Sequence, residues 1–313
     1  MRVANNTYTE QMLQQFNSLK ASQYSLQQRA STGLRVQVAS DDPTAMAETL
    51  ALASKKTANT QWTQNIGTLT DRANQIYTVL QSLQSKVSRA GEVATAAATA
   101  TASPSDLINH ANEINAMIED AVKLGNTKDS AVGNFLFGGT ASGATPFSVT
   151  RNSAGDITAV TYDGNASVNQ TEVGDGQTMS VDVPGVNTGS SGARGLFQDS
   201  QSGADFLNHL ITLRDDLLAG NKTAVATDNT NFKGDENNLA YQIANNGVVQ
   251  NRLKTAEAFL SDHSAALDKA ITSQSGADLA DTIVALSEAQ NGYQAALQSS
   301  VKIMQLSILN YIS

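Results

Sequence analysis

Residues 62–97 read WTQNIGTLTDRANQIYTVLQSLQSKVSRAGEVATAA. After Trp62 the apolar positions Ile66, Leu69, Ala73, Ile76, Leu80, Leu83, Val87, Ala90, Ala94 and Ala97 follow in steps of four and three without a break. That period marks one long helix with a coiled-coil-like seam. It sets the fold class as mainly α, and the rest of the chain is read outward from it.

Downstream, Ser103-Pro104-Ser105-Asp106 supplies an N-cap, a proline at the first helical position and an acidic third residue. Leu107, Ala111, Ile114, Ile118 and Ala121 continue a helix to a stop at Gly125-Asn126. Of the 22 glycines, 14 then fall between Gly125 and Gly203, so this quarter of the chain is rich in turns. Inside it the period becomes two. Phe147 to Val149, Ile157 to Tyr162, Val168 to Val173 and Met179 to Val183 are short β runs, separated by turns at Asn152 to Asp156, Asp163-Gly164-Asn165 and Gly174-Asp175-Gly176. The expectation is a small antiparallel sheet domain inserted into a helical framework. Helical spacing resumes at Phe206, Leu210, Leu213 and Leu217, and a second long helix is expected from about Asp235 to Thr272.

The two ends echo each other. Met12, Phe16, Leu19, Gln23, Leu26 and Ala30 repeat at four and three and stop at Ser31-Thr32-Gly33, while Leu279, Ile283, Leu286, Gln290, Tyr293 and Leu297 do the same near the C-terminus. These seams can face one another. Beyond Leu297 the run Val301, Ile303, Met304, Leu306, Ile308, Leu309, Tyr311 and Ile312 leaves almost no polar face. A helix apolar nearly all round must be covered on more than one side. One partner helix covers one stripe, so another subunit is expected to cover the rest. Lipid is the competitor, but the stretch is too short to span a bilayer, and its one cation, Lys302, makes no basic face.

Composition narrows the function. Lys and Arg number 20 against 29 Asp and Glu, a net charge of −9 that argues against nucleic acid, whose phosphates call for a basic stripe. Neutral hydrogen-bonding side chains take the place of charge: 30 Ser, 30 Thr, 26 Asn and 23 Gln. Without cysteine there are no disulfides, thiolate nucleophiles or sulfur-ligated metals. The N-terminal residues show no apolar signal-peptide core, and no segment is apolar for long enough to cross a membrane.

Catalytic candidates are sparse. His110, His209 and His263 lie on separate helical segments without metal-ligand spacing and are expected to be surface or hydrogen-bonded residues. Gly138-Gly139-Thr140 lacks the lysine of a phosphate loop and reads as a turn. Asp228-Asn229-Thr230-Asn231 resembles the start of a calcium loop, but Lys233 stands at the sixth position and Leu239 at the twelfth, so a polar interhelix loop is expected. Asp42 reads as the cap of a helix that Pro43 begins. No catalytic, cofactor-binding or metal-binding residue is expected.

Several motifs together resemble the bacterial flagellin family, and within it the proteins of the hook–filament junction. They are Met1-Arg2-Val3 with Asn5-Asn6, Ser31-Thr32-Gly33, Ala39-Ser40-Asp41-Asp42-Pro43, Phe135-Leu136-Phe137-Gly138-Gly139-Thr140 with Pro146-Phe147, Tyr162-Asp163-Gly164, Gly247 to Leu253, and Gln305 to Ile312. Asn134 and Gly139 depart from the family's usual aromatic or basic residue and alanine, which bears on the local turn. The resemblance implies three domains: a terminal polymerisation domain of residues 1–40 and 278–313, a helical bundle of 41–135 and 203–277, and a β-rich outer domain of 136–202. It implies a ring of identical subunits in the flagellar axial structure, contact with hook-associated protein 1 on one side and flagellin on the other, and an export chaperone. Export would use the flagellar type III apparatus, with an uncleaved, disordered N-terminus as the signal. The assembly interface is expected at Met12, Phe16, Leu19, Leu26, Tyr293, Leu297, Val301, Met304, Leu306, Ile308, Leu309 and Tyr311. Alternatives are a flagellin of the filament itself or a surface adhesin reading glycans through the β insert, while an enzyme has the least support.

Overall fold

The structure, a computed structural model, describes residues 2–99, 101–141 and 143–312, with side chains described between residues 10 and 302. Among the described residues six helices carry the fold: α1 Arg2–Thr32, α2 Pro43–Ala97, α3 Pro104–Gly125, α4 Phe206–Leu218, α5 Lys222–Ser275 and α6 Leu279–Ile312. Between α3 and α4 run β1 Phe147–Arg151, β2 Ile157–Tyr162, β3 Thr171–Gly174, β4 Gln177–Met179, β5 Val186–Asn187, β6 Gln198–Asp199 and β7 Ala204–Asp205. The protein is therefore mainly α with a small inserted strand region. Its chain divides into two compact units, residues 60–261 and the pair 1–59 with 262–313.

The unit of residues 60–261 holds the core. Leu80, Leu83, Ala90 and Ala94 of the 62–97 seam meet Ile114 and Ile118 of α3, Leu210 and Leu213 of α4, and Phe232 and Leu239 of α5, all buried. A smaller cluster joins Ile66, Leu69 and Ala73 to Leu253 and Leu260 and to Val173, Met179 and Val181 of the insert. α3 starts with the expected capping box: the Asp106 amide donates to Ser103 Oγ at 3.3 Å and the Ser103 amide to Asp106 Oδ2 at 3.0 Å.

Three expectations change. The insert is three small sheets rather than one: hairpins β1–β2 and β3–β4, and a three-stranded group in which β5 and β6 are parallel. The run expected at Val168 to Val173 becomes a strand only at Thr171, and the run from Met179 leaves the ladder there, because Asp182 turns away to other partners. Its Oδ2 accepts the backbone and side-chain N–H of Asn169, both at 2.9 Å, and its Oδ1 lies 2.9 Å from Arg72 Nε. Next, α5 begins at Lys222 instead of about Asp235, with Asn221 Oδ1 accepting the Ala224 amide at 3.2 Å as a cap. Asp228 to Asn231 is thus helical, not a loop; Val225, Asp228, Phe232 and Asp235 form one buried stripe that a polar sequence disguises. Last, the N-terminal segment is helical from Arg2, where the resemblance implies disorder.

Aromatic rings tie the insert to the bundle. Phe147 packs at 4.9 Å on Phe197 and 5.1 Å on Tyr162 and abuts Gly125 and Gly185, where an added Cβ would lie 2.7 and 2.6 Å from its ring. Tyr162 Oη lies 2.9 Å from the carbonyls of both Phe137 and Asn165. Phe147→Ala should destabilise this unit by about 3–5 kcal/mol, measured by urea unfolding, because the ring leaves a cavity where four segments meet.

Candidate assembly interface

In the other unit, α1 and α6 pack side by side. On α1 the half-buried positions include Met12, Phe16, Leu19, Gln23, Leu26 and Ala30, the seam expected from sequence, together with Ser25 and Arg29. Its counterpart on α6 keeps Leu286 and Tyr293 of the expected seam, while Leu279, Ile283, Gln290 and Leu297 are exposed. The covered positions of α6 are Thr282, Ala285, Leu286, Ala289, Gly292, Tyr293, Ala296 and Ser300, mostly small. Large side chains from α1 thus settle against small ones on α6, with Phe16 meeting Tyr293 edge-on at 5.9 Å. Thr282 and Ser300 return their hydroxyls to the carbonyls of Asp278 and Ala296, so they can sit buried in the seam.

Leu279, Ile283, Leu297 and Val301 therefore face outward, at 49%, 59%, 42% and 50% exposure. Taken at about 100° per residue, these four fall within about 40° of one another on the helix. Leu13, Tyr24, Val38 and Leu50 add further exposed apolar surface on the same unit. Among its described residues only Val36, Ala45 and Leu267 are buried hydrophobics. The expected interface residues thus divide in two: Met12, Phe16, Leu19, Leu26 and Tyr293 hold the helix pair together, while Leu297 and Val301 are open. The side chains of Met304, Leu306, Ile308, Leu309 and Tyr311 lie outside the described residues.

The connection between α1 and α2 is pinned to the connection between α5 and α6. Gly33 ends α1 with φ +69°, its carbonyl accepts the Ala277 amide at 2.9 Å, and Ser275 O accepts the Arg35 and Val36 amides at 2.7 and 3.3 Å. The Ser40-Asp41-Asp42-Pro43 motif shapes this clamp. Asp41 Oδ2 accepts the amides of Gln37 at 3.0 Å and Val38 at 3.1 Å. Asp42 caps α2 through the Ala45 amide at 3.0 Å and pairs with Arg35 at 3.2 Å, while Arg35 also donates to Gln274 O at 3.0 Å. Ser40 itself is exposed. Hydrogen bonds hold both carboxyl groups below the ordinary Asp value: the backbone amides of Gln37 and Val38 for Asp41, and the Ala45 amide and then the Arg35 guanidinium for Asp42.

The second motif closes the entrance to the insert. Leu136 and Phe137 are fully buried, and the Leu136 amide donates to Thr127 O at 2.9 Å. Gly138 O accepts the Asn165 amide at 3.2 Å. Gly139 has φ +65° and lies so close to Asn165 that an added Cβ would be 2.1 Å from its carbonyl oxygen. The departure from alanine is therefore matched to this turn. Of the histidines, His209 Nδ1 lies 2.7 Å from Asp235, His110 lies 3.8 Å from Glu113, and His263 lies 3.4 Å from Asn59. Among the described residues no group of three His, Asp or Glu could hold a metal, and no helix is long and apolar enough to cross a membrane.

Sequence missed Arg35 and the small-residue face of α6. Arg35 is set seven positions before its partner in a loop without periodicity. The α6 face carried a usable signal, small residues recurring at Ala285, Ala289, Gly292 and Ala296.

Residues 3–142 match the bacterial flagellin N-terminal helical region. The chain is 26% identical to the flagellar hook-associated protein 3 of Salmonella typhimurium, across 96% of this chain and 95% of that protein. It is 23% identical to the protein of that name from Escherichia coli, across 98% of each. A structure of a putative flagellar hook-associated protein from Vibrio parahaemolyticus shares the fold, with a TM-score of 0.64 at 20% identity over 75% of this chain and all of that one. The chain is thus similar to bacterial flagellins in its N-terminal helical region, and to a hook-associated protein in its fold. Over nearly its full length the chain is similar to the flagellar hook-associated protein 3 of these two bacteria.

The clamp makes a testable statement about acid. A carboxyl group whose value is lowered by folding contributes stability above its unfolded value, near pH 4, and loses it as the pH falls through the folded one. Asp42→Ala should speed amide exchange at Thr44 to Met46 at pH 7, and the wild-type protein should approach the variant's rates only below about pH 4.

Proposed function

We propose that this chain is the adaptor of the hook–filament junction, a ring-forming subunit that joins hook-associated protein 1 to flagellin and performs no chemistry. Residues 1–40 and 278–313 form its polymerisation domain, 41–135 and 203–277 a helical bundle next outward, and 136–202 the outermost part. An export chaperone covers the apolar end before assembly, and the chain leaves the cell through the flagellar type III route to act outside it. The observation that carries this reading is the outward stripe of Leu279, Ile283, Leu297 and Val301 on a unit with almost no buried apolar core of its own among the described residues. An apolar stripe of that length on a soluble protein marks a contact surface. Neighbouring subunits cover it.

Leu297→Asp and Val301→Asp should abolish incorporation at the junction, read by electron microscopy of hook–filament structures and by motility. Unfolding of the isolated chain should change by no more than about 0.5 kcal/mol, since both side chains are exposed there. Removal of residues 1–30 and 300–313 should likewise leave a folded helical monomer that does not assemble. Assembly by any of these variants would dismiss the terminal surface as the interface.

A further inference from the structure

The middle of α5 and the strand region carry their charge separately. From Asn237 to Ala256, α5 has no acidic residue, and its cations Arg252 and Lys254 are both exposed. The insert segment 183–198, bonded to α5 through Asn238 and Gln242, has no acidic residue either and one cation, Arg194. On a chain with a net charge of −9 this surface is positive. Arg194 is held in place: its guanidinium lies 4.1 Å from the centre of the Tyr241 ring, and its carbonyl accepts Gln242 Nε2 at 2.9 Å. Tyr241 is 44% exposed and Val248 is 57% exposed. At about 100° per residue, Tyr241, Asn245, Val248 and Arg252 fall within about 60° of one another, in a stripe about 17 Å long. Arginine and tyrosine fixed in advance are the side chains that carry energy at protein contacts.

The complementary charge sits on the same unit. Residues 152–193 contain five acids and no Lys or Arg. Asp156 is engaged by Asn115 and Asn152, and Asp182 is buried against Arg72. Asp163, Glu172 and Asp175 are exposed, and among the described residues neither they nor Arg194, Arg252 and Lys254 form an ion pair. Glu172 lies on β3, and Asp175 stands in the turn to β4 between Gly174 and Gly176. We propose that the Tyr241–Arg252 stripe, with Arg194 at its edge, is a docking surface for the β3–β4 hairpin of a second copy of this chain, whose Glu172 and Asp175 meet the two guanidinium groups. A second copy fits because each copy offers carboxylates without cations on one surface and cations without carboxylates on the other. The two surfaces differ, so the contact is heterologous and repeats from copy to copy around a ring. Resting on the reading of the chain as a ring subunit, this contact is additional to that of the terminal helices.

Disulfide trapping tests it, since the chain has no cysteine of its own. Thr178 stands opposite Glu172 in the β3–β4 register, and Asn245 lies within the stripe. Full chains carrying Thr178→Cys or Asn245→Cys are made together in cells in place of the native chain, and isolated flagella are oxidised and blotted from a non-reducing gel. A covalent dimer should form when both chains are present and with neither alone. Arg194→Glu with Arg252→Glu should lower its yield by about tenfold or more, and adding Glu172→Lys with Asp175→Lys should restore it. Should the Arg194 variant not fold, Arg252→Glu with Lys254→Glu, both at exposed positions, is read in the same way. Chain present in hook–filament structures without the dimer, or a dimer indifferent to charge reversal, overturns the contact and leaves the junction reading standing. Absence of the chain from those structures overturns the junction reading and the contact with it.

Discussion

Two helices laid together can hide one stripe from each, and α6 has more than one apolar stripe. Everything about the terminal unit follows from that surplus. α1 takes the small-residue face of α6, where close approach is cheapest, and the larger residues Leu279, Ile283, Leu297 and Val301 are left outside. The unit with the aromatic cluster and the four-helix core needs no such completion. Residues 60–261 are stabilised by their own interior, and the terminal helices leave apolar side chains exposed.

Much of this was legible before any coordinates. The four-and-three spacing of residues 62–97, the capping box at Ser103, the stop at Gly33 and the paired ends all appear where the residues place them, because each is a local rule. What sequence hid depended on distant partners. Asp182 reads as part of a strand until Arg72 and Asn169 claim it. Asp228 reads as a loop because three polar residues follow it, while its own burial on α5 depends on α4. The inner face of α6 was misassigned for a related reason: apolar residues occupy several faces, so periodicity alone cannot choose among them, and the smaller residues won on packing.

Composition acquires a place in this account. The large excess of Ser, Thr, Asn and Gln clothes the outer faces of α2 and α5, where many hydroxyls are returned to the helix's own carbonyls, as at Thr68, Thr78, Ser82, Ser85 and Thr255. Such a surface is wet without being strongly charged. Copies of it would repel one another little at close approach.

The insert's hairpins have a further consequence. Their bases are fixed by buried rings, by Tyr162 and by the tight turn at Gly139, whereas the residues at their tips, 153–155 and 175–176, are exposed. Chain can be added at those tips without touching the anchors. The insert thus has two places where new sequence can lengthen it while the buried bases of its hairpins stay as they are.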